Sequence, residues 1–179
     1  MQEYTAKMQS NTQIFYDKDS REAARWIYGD KGTIKKTGKR INGVVRMYHE
    51  GGVLASEITY KNSELNGHYL LLSPEGKIEE EGFFRDNNLD GEYKQYHENG
   101  RLKLAGGYKK GRREGAHKLY YPSGSIQEEE FYKDGVLDGE EREYYESGVL
   151  AVYAAYKKGK LKMIRQYAED GTLKKEENY

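Results

Sequence analysis

The sequence predicts an all-β fold, an open antiparallel meander of tandem β-hairpins in a single sheet. Three observations predict it. Gly52, Gly76, Gly100, Gly124, Gly148 and Gly171 stand 24, 24, 24, 24 and 23 residues apart. A second column, Gly43, Gly67, Gly91, Gly115 and Gly139, keeps the same period nine residues earlier. Between the glycines, segments of about six residues rich in Tyr, Leu, Ile and Phe alternate with turn sequences such as Glu98-Asn99-Gly100, Pro122-Ser123-Gly124 and Lys133-Asp134-Gly135.

With the earlier glycine as position 1, position 6 reads Tyr48, Leu72, Tyr96, Tyr120, Tyr144 and Tyr167, and position 12 reads Leu54, Ile78, Leu102, Ile126, Leu150 and Leu173. Position 18 is always aromatic: Tyr60, Phe84, Tyr108, Tyr132, Tyr156 and Tyr179. Leucine holds position 23 at Leu65, Leu89, Leu137 and Leu161, with Arg113 the exception, and the last unit has lost one residue near Met163. A repeat of this length marks an array whose units cannot bury their apolar side alone and must stack on neighbours.

The glycine-bearing turns supply the positive φ that joins antiparallel strands tightly, so one unit is one hairpin. No helical pattern separates the hairpins, which excludes parallel β-α-β crossovers. A three-residue loop over positions 8 to 10, with its glycine left-handed, sets position 6 opposite position 12 and makes Tyr and Leu the repeating core pair. A two-residue loop pairs position 12 with position 7 instead, and the sequence leaves both open.

Residues 28–179 form the repeats, and residues 1–27 fit the period poorly. Tyr16 and Tyr28 keep the 12-residue interval of positions 6 and 18, so 15–28 reads as a degenerate hairpin. A short helix capped by Asp19, with Glu22 at its third position, is the competing reading. Either one caps a sheet edge that would otherwise invite aggregation.

Residues 91–102, GEYKQYHENGRL, followed by YKKG at 108–111, resemble the bacterial variant of the MORN repeat, as do residues 115–138. The resemblance covers roughly 28–179. It implies a row of hairpins in an elongated, twisted sheet that serves as a protein-interaction scaffold, of an antitoxin or immunity type in many bacterial members and an exported repeat protein in others. Those two roles stand as the first expectation and its alternative, a cell-envelope spacer or adhesin. The family pattern brings no catalytic residues. Departures fall at Leu71 to Pro74, Arg112 to Glu114 and Val152 to Ala154.

Hydrophobic residues make up 36% of the chain and charged residues 34%, a balance that in an unpatterned chain favours disorder. The phased aromatic columns argue for a fold instead. Ten of the 18 tyrosines sit in columns 6 and 18, where a ring can bury on a neighbouring hairpin while its hydroxyl reaches water. Lys plus Arg equals Asp plus Glu at 30 each, so nucleic acid is not the expected partner. Without cysteine there is no disulfide framework or thiolate metal site. No apolar run is long enough for a transmembrane helix, and residues 1–7 do not read as a secretory signal, although a leader removed ahead of Met1 is compatible with the sequence.

No metal or cofactor site is expected. His49 and His97 occupy the same position two units apart, roughly 19 Å at the strand spacing, and so cannot share an ion. His68 and His117 lie at different positions of different units. Carboxylates are abundant, as in the runs 79–81, 128–130 and 140–141, but Glu57, Glu81, Glu129 and Glu176 recur at position 15 and basic residues at position 19, so they read as surface ladders rather than an acid–base pair.

A second aromatic set is the candidate partner-binding face. Tyr69 and Tyr93 hold position 3, and His49, His97, Tyr121 and Tyr145 hold position 7. These positions share a parity opposite to position 6, which places them together on the other face of the sheet. Aromatic rings on a rigid surface give contact area at low entropy cost, so a protein partner is the expected ligand. The oligomeric state and the compartment, cytoplasmic or exported, stay open.

Overall fold

The computed structural model describes residues 1–30 and 32–179 with their side chains. Sixteen strands in meander order, nearly all antiparallel, make one open sheet, and no α-helix occurs among the described residues. The chain divides after Asn87 into two units.

The first unit holds β1 (Gln2–Gln9), β2 (Thr12–Tyr16), β3 (Glu22–Tyr28), β4 (Ile34–Gly38), β5 (Gly43–Tyr48), β6 (Leu54–Lys61), β7 (Glu64–Leu72) and β8 (Ile78–Arg85). Their order is β8-β7-β6-β5-β1-β2-β3-β4. Glu22–Tyr28 is a strand paired with β2, so the helix alternative for this stretch is not formed.

The meander breaks at one point, where β1 inserts beside β5 in parallel, Gln2 opposite Gly43 and Thr5 opposite Arg46. Gly43 makes this possible: at φ +142 its missing Cβ would lie 1.9 Å from the Gln2 carbonyl oxygen. From Gly38 to Gly43 the chain takes five steps, at most about 18 Å, whereas four flat strand spacings need roughly 19 Å. The N-terminal strands therefore curl, and Trp26 of β3 packs 5.5 Å from Tyr60 of β6. Lys36 of β4 donates to the Ser63 carbonyl at 2.7 Å and lies over the Trp26 ring.

The curl encloses the principal core. Phe15 and Ile41 are fully buried, with Tyr4, Ala24, Trp26 and Val45 around them. The return segment between β4 and β5 thus supplies a core side chain, Ile41, whose amide donates to Ser63 Oγ at 2.9 Å.

The second unit holds β9 (Asn88–Tyr96), β10 (Leu102–Lys109), β11 (Arg112–Tyr120), β12 (Ile126–Lys133), β13 (Val136–Tyr144), β14 (Leu150–Lys157), β15 (Lys160–Tyr167) and β16 (Leu173–Asn178), in uninterrupted antiparallel succession. It is a single layer, in which Ala154 and His117 are the deeply buried side chains.

Two turn types alternate. At one end positions 6 and 12 face each other, as in Tyr48 with Leu54, Tyr120 with Ile126 and Tyr167 with Leu173, which settles the loop as three residues. The His49 and His97 carbonyls accept from Gly52 and Gly100, whose φ of +84 and +80 closes the loop. The pair is not a core pair, however: Tyr48 is 49% and Leu173 53% exposed, because a one-layer sheet has nothing to cover its turn-proximal rows.

At the other end, positions 20 and 21 form two-residue turns with both φ positive, for example Asn62-Ser63, Lys110-Gly111 and Asp134-Gly135, the signature of type I′. Each turn is tied to the preceding hairpin. The position 21 amide donates to the previous position 23 carbonyl, Asn87 to Leu65 at 3.0 Å and Gly111 to Leu89 at 2.8 Å. The position 24 side chain accepts from the position 20 amide, Asn42 from Asn62 at 2.8 Å and Glu114 from Asp134 at 2.8 Å.

Two substitutions test this framework. Lys110 holds φ +51, costly for a side chain without a local amide, so Lys110→Asn should raise unfolding stability by about 1 kcal/mol in urea titration. Gly43→Ala should cost about 2–4 kcal/mol and expose the Trp26 fluorophore, seen as a red-shifted emission.

Candidate functional site

Strand pairing sets position 3 of one strand directly opposite position 16 of its hairpin partner: Tyr69 with Gly82, Tyr93 with Gly106, His117 with Glu130, and Glu141 with Ala154. Position 18, two residues from position 16, lies on the same face. Rings from positions 3 and 18 therefore interlock. In the first unit Tyr69 meets Phe84 at 4.7 Å. In the second unit Tyr93, Tyr108, His117 and Tyr132 form a continuous zigzag with centroid separations of 5.3, 5.4 and 5.2 Å.

Glycine at position 16 makes room for this ladder, since a Cβ on Gly106 would lie 2.2 Å from His117 Nδ1. His117 is only 3% exposed and its Nε2 donates to the Gly107 carbonyl at 2.8 Å, while Nδ1 is buried without a hydrogen-bond partner. Burial holds its pKa below the usual histidine value, which matches a neutral ring with its proton on Nε2.

This geometry divides the aromatic stripe into two groups. Tyr69, 4% exposed, and Tyr93 lie on the ladder face with position 18, whereas position 6 lies on the other face. The bulge beside position 6 leaves alternation along positions 3 to 6 intact, because its extra residue, Ala55, Glu79 or Gln127, lies on the partner strand. Position 6 accordingly lies on the face opposite the ladder, where the Tyr144 hydroxyl donates to Glu129 at 3.1 Å.

The position 7 side chains have a different employment. His49 and His97 donate through Nε2 to the carbonyls of Leu72 and Tyr120, each at 2.8 Å. Tyr121 and Tyr145 donate through their hydroxyls to the carbonyls of Tyr144 and Tyr167, at 2.8 and 2.9 Å. Each ring thus reaches the position 6 carbonyl of the following hairpin. Ser73 is too short for this, and its Oγ caps its own turn at the Glu75 amide. The column of His and Tyr is a set of inter-hairpin staples. Both residue types carry a rigid ring with a donor at its far end, which is why they interchange.

The opposite face carries ion pairs between directly opposed residues of positions 4 and 15: Arg46 with Glu57 at 2.8 Å, Lys118 with Glu129 at 2.7 Å, and Arg165 with Glu176 at 3.2 Å. Phe83 and Phe131 stand partly exposed on it.

Sequence reasoning missed one cluster. Glu128, Glu130 and Glu141 bring carboxylate oxygens within 4.8 Å of one another at the end of the ladder. Glu128 and Glu130 face a hollow of about 260 Å³ with Arg113, His117 and Leu104. Glu130 is satisfied by the Tyr132 hydroxyl at 2.8 Å and by Arg113 at 3.5 Å. Burial, then Glu130, Glu141 and Glu143, pushes the Glu128 pKa up to about 7. Burial, then the bond to Glu130, pushes the Tyr132 phenol up to about 12. The group could gather round a cation or hold a proton. Its sequence signal was Glu128–Glu130 facing Glu141–Glu143 across a hairpin, legible only once the register is known.

The fold and these columns define a β-hairpin repeat array. The chain carries MORN repeats: the family model described as MORN repeat variant matches residues 41–62, 89–110, 113–134 and 137–158. No curated protein matches the chain significantly. The repeats are consistent with a protein acting in protein or membrane interaction. Among the described residues, no helix is long and apolar enough to cross a membrane.

Three measurements check the site. Tyr121→Phe removes one staple and should cost about 1 kcal/mol in denaturant unfolding. Gly106→Ala should cost about 1–3 kcal/mol by displacing the His117 ring. For Glu128 the folded pKa lies above the unfolded value of 4.5, so the folded state binds the extra proton and stability falls as pH rises from 4.5 to about 7. Glu128→Gln should flatten that loss and stabilise the protein at pH 8 by about 1 kcal/mol, reduced by solvent screening, with no gain near pH 4.

Proposed function

We propose that this protein is a non-enzymatic scaffold that binds another protein along the ladder face of its second unit. The observation that carries this reading is the run Tyr93, Tyr108, His117 and Tyr132, whose three tyrosines are partly solvent-facing on a sheet with its turns tied at both ends. Tyrosine held in place by packing offers apolar area and a hydroxyl without further ordering cost on binding, the composition that favours interface hot spots. Leu104 and Leu119, beside the hollow, extend the apolar part of that face. The specific form of the proposal is an antitoxin-type partner that covers the working surface of a toxin.

Affinity capture from the source cell, followed by mass spectrometry, tests it with two variants. Leu104→Glu with Leu119→Glu should lose the captured protein, whereas Phe83→Ser with Phe131→Ser, on the opposite face, should retain it. Equal loss with both pairs, or with neither, would sink the face assignment. Co-expression with the captured protein then tests the antitoxin form, which predicts that the array restores growth.

A further inference from the structure

The chain is charge-balanced overall, yet residues 31–49 contain six lysines and arginines and no carboxylate. The fold places residues 34–38 of this stretch at the open end of the first unit. β4 is the terminal strand of the sheet and all five of its residues are exposed, Ile34 at 48%.

The backbone direction follows from two bonds. Lys39 donates to the Ala23 carbonyl and Gly29 to the Thr33 carbonyl, so residues 33, 35, 37 and 39 bond inward to β3. Antiparallel alternation then turns the N–H and C=O groups of Ile34, Lys36 and Gly38 outward. An open row of this kind is a template for an added strand.

The charges around the row are uncompensated. Lys36 is engaged with Ser63 and Trp26, but among the described residues Lys35, Lys39 and Arg40 have no carboxylate partner. The acids that share the adjoining hollow with Lys39 and Arg40 are held elsewhere, Asp17 and Asp19 by Arg21 and Glu3 by Arg46. Lys35 stands near the start of β4 and Lys39 directly after its end, so the two flank the open row.

We propose that the β4 edge binds an acidic, extended segment of a protein partner by strand addition, with backbone bonds to Ile34, Lys36 and Gly38 and carboxylates facing Lys35 and Lys39. A second copy of the chain fits less well. β4 against β4 opposes like charges, and the acids of the other terminal strand, β16, are already paired, Glu176 with Arg165 and Glu177 with Lys175.

The probe is a capped hexapeptide of alternating Glu and Val, titrated into the ¹⁵N-labelled protein. Amide shifts should map to residues 22–40, and the affinity should exceed that of a Lys-Val hexapeptide at least tenfold and fall with added salt. Lys35→Glu with Lys39→Glu should weaken binding at least tenfold. Ile34→Pro removes one outward N–H and leaves the inward bonds intact, because Thr33 already holds φ −70 and ψ 138; it should weaken binding similarly with an unchanged melt. Should that variant unfold, the charge-reversal pair carries the test. Equal affinity for both peptides overturns the proposal, as does tighter binding of a single-stranded oligonucleotide. A folded Ile34→Pro protein that binds normally, or a micromolar dimer that excludes the peptide, overturns it too.

Discussion

A sheet with no second layer must bury its aromatic rings within itself, and the contact that allows it is a ring at position 3 lying beside a small residue at position 16. Gly82 and Gly106 leave backbone exposed on the ladder face, and Tyr69, Tyr93 and His117 cover it. The rings of position 18 then close the gaps from either side. This arrangement fixes the hairpin register, since a one-residue slip would send every ring to the ion-paired face.

The ends of the hairpins are secured by different chemistry. At the type I′ turns, backbone amides and the side chains of position 24 bind each hairpin to the one before it. At the wider loops, the rings of position 7 reach forward to the next carbonyl. Individually each bond contributes little, but a buried carbonyl left without a donor costs more than the bond itself gives. Recurrence makes these contacts structural, so a functional argument rests better on what breaks the pattern. Glu130 stands where other units have Gly82 or Gly106, and Glu141 stands where they have Tyr69 or Tyr93. There the ladder ends in carboxylates held close together against their mutual repulsion.

Much of the fold was legible in the sequence because turn chemistry is local. Glycine and Asn-Asp-Gly spacing gave the hairpins, their number and their antiparallel sense over the repeats. Alternation along one strand set Tyr69 and Tyr93 opposite position 6, but that their rings interlock with position 18 depends on which residues pair across strands. His49, His97, Tyr121 and Tyr145 looked like a free stripe, since a hydrogen bond spanning 22 or 23 residues leaves no local trace. The acid cluster escaped for a related reason, as its members come from two strands.

The sequence by itself determined the period, the hairpin unit and the residue columns, because these depend on local φ preferences and on the need of each unit to stack. The tertiary structure alone decided that positions 3 and 18 share a face, since that depends on which residues the paired strands set opposite one another. It alone decided that residues 1–41 hold the principal core, since Phe15, Trp26 and Ile41 meet only when the N-terminal strands curl and β1 lies parallel to β5. The glycine ladder says how often the chain turns; the pairing of strands says what each turn brings together.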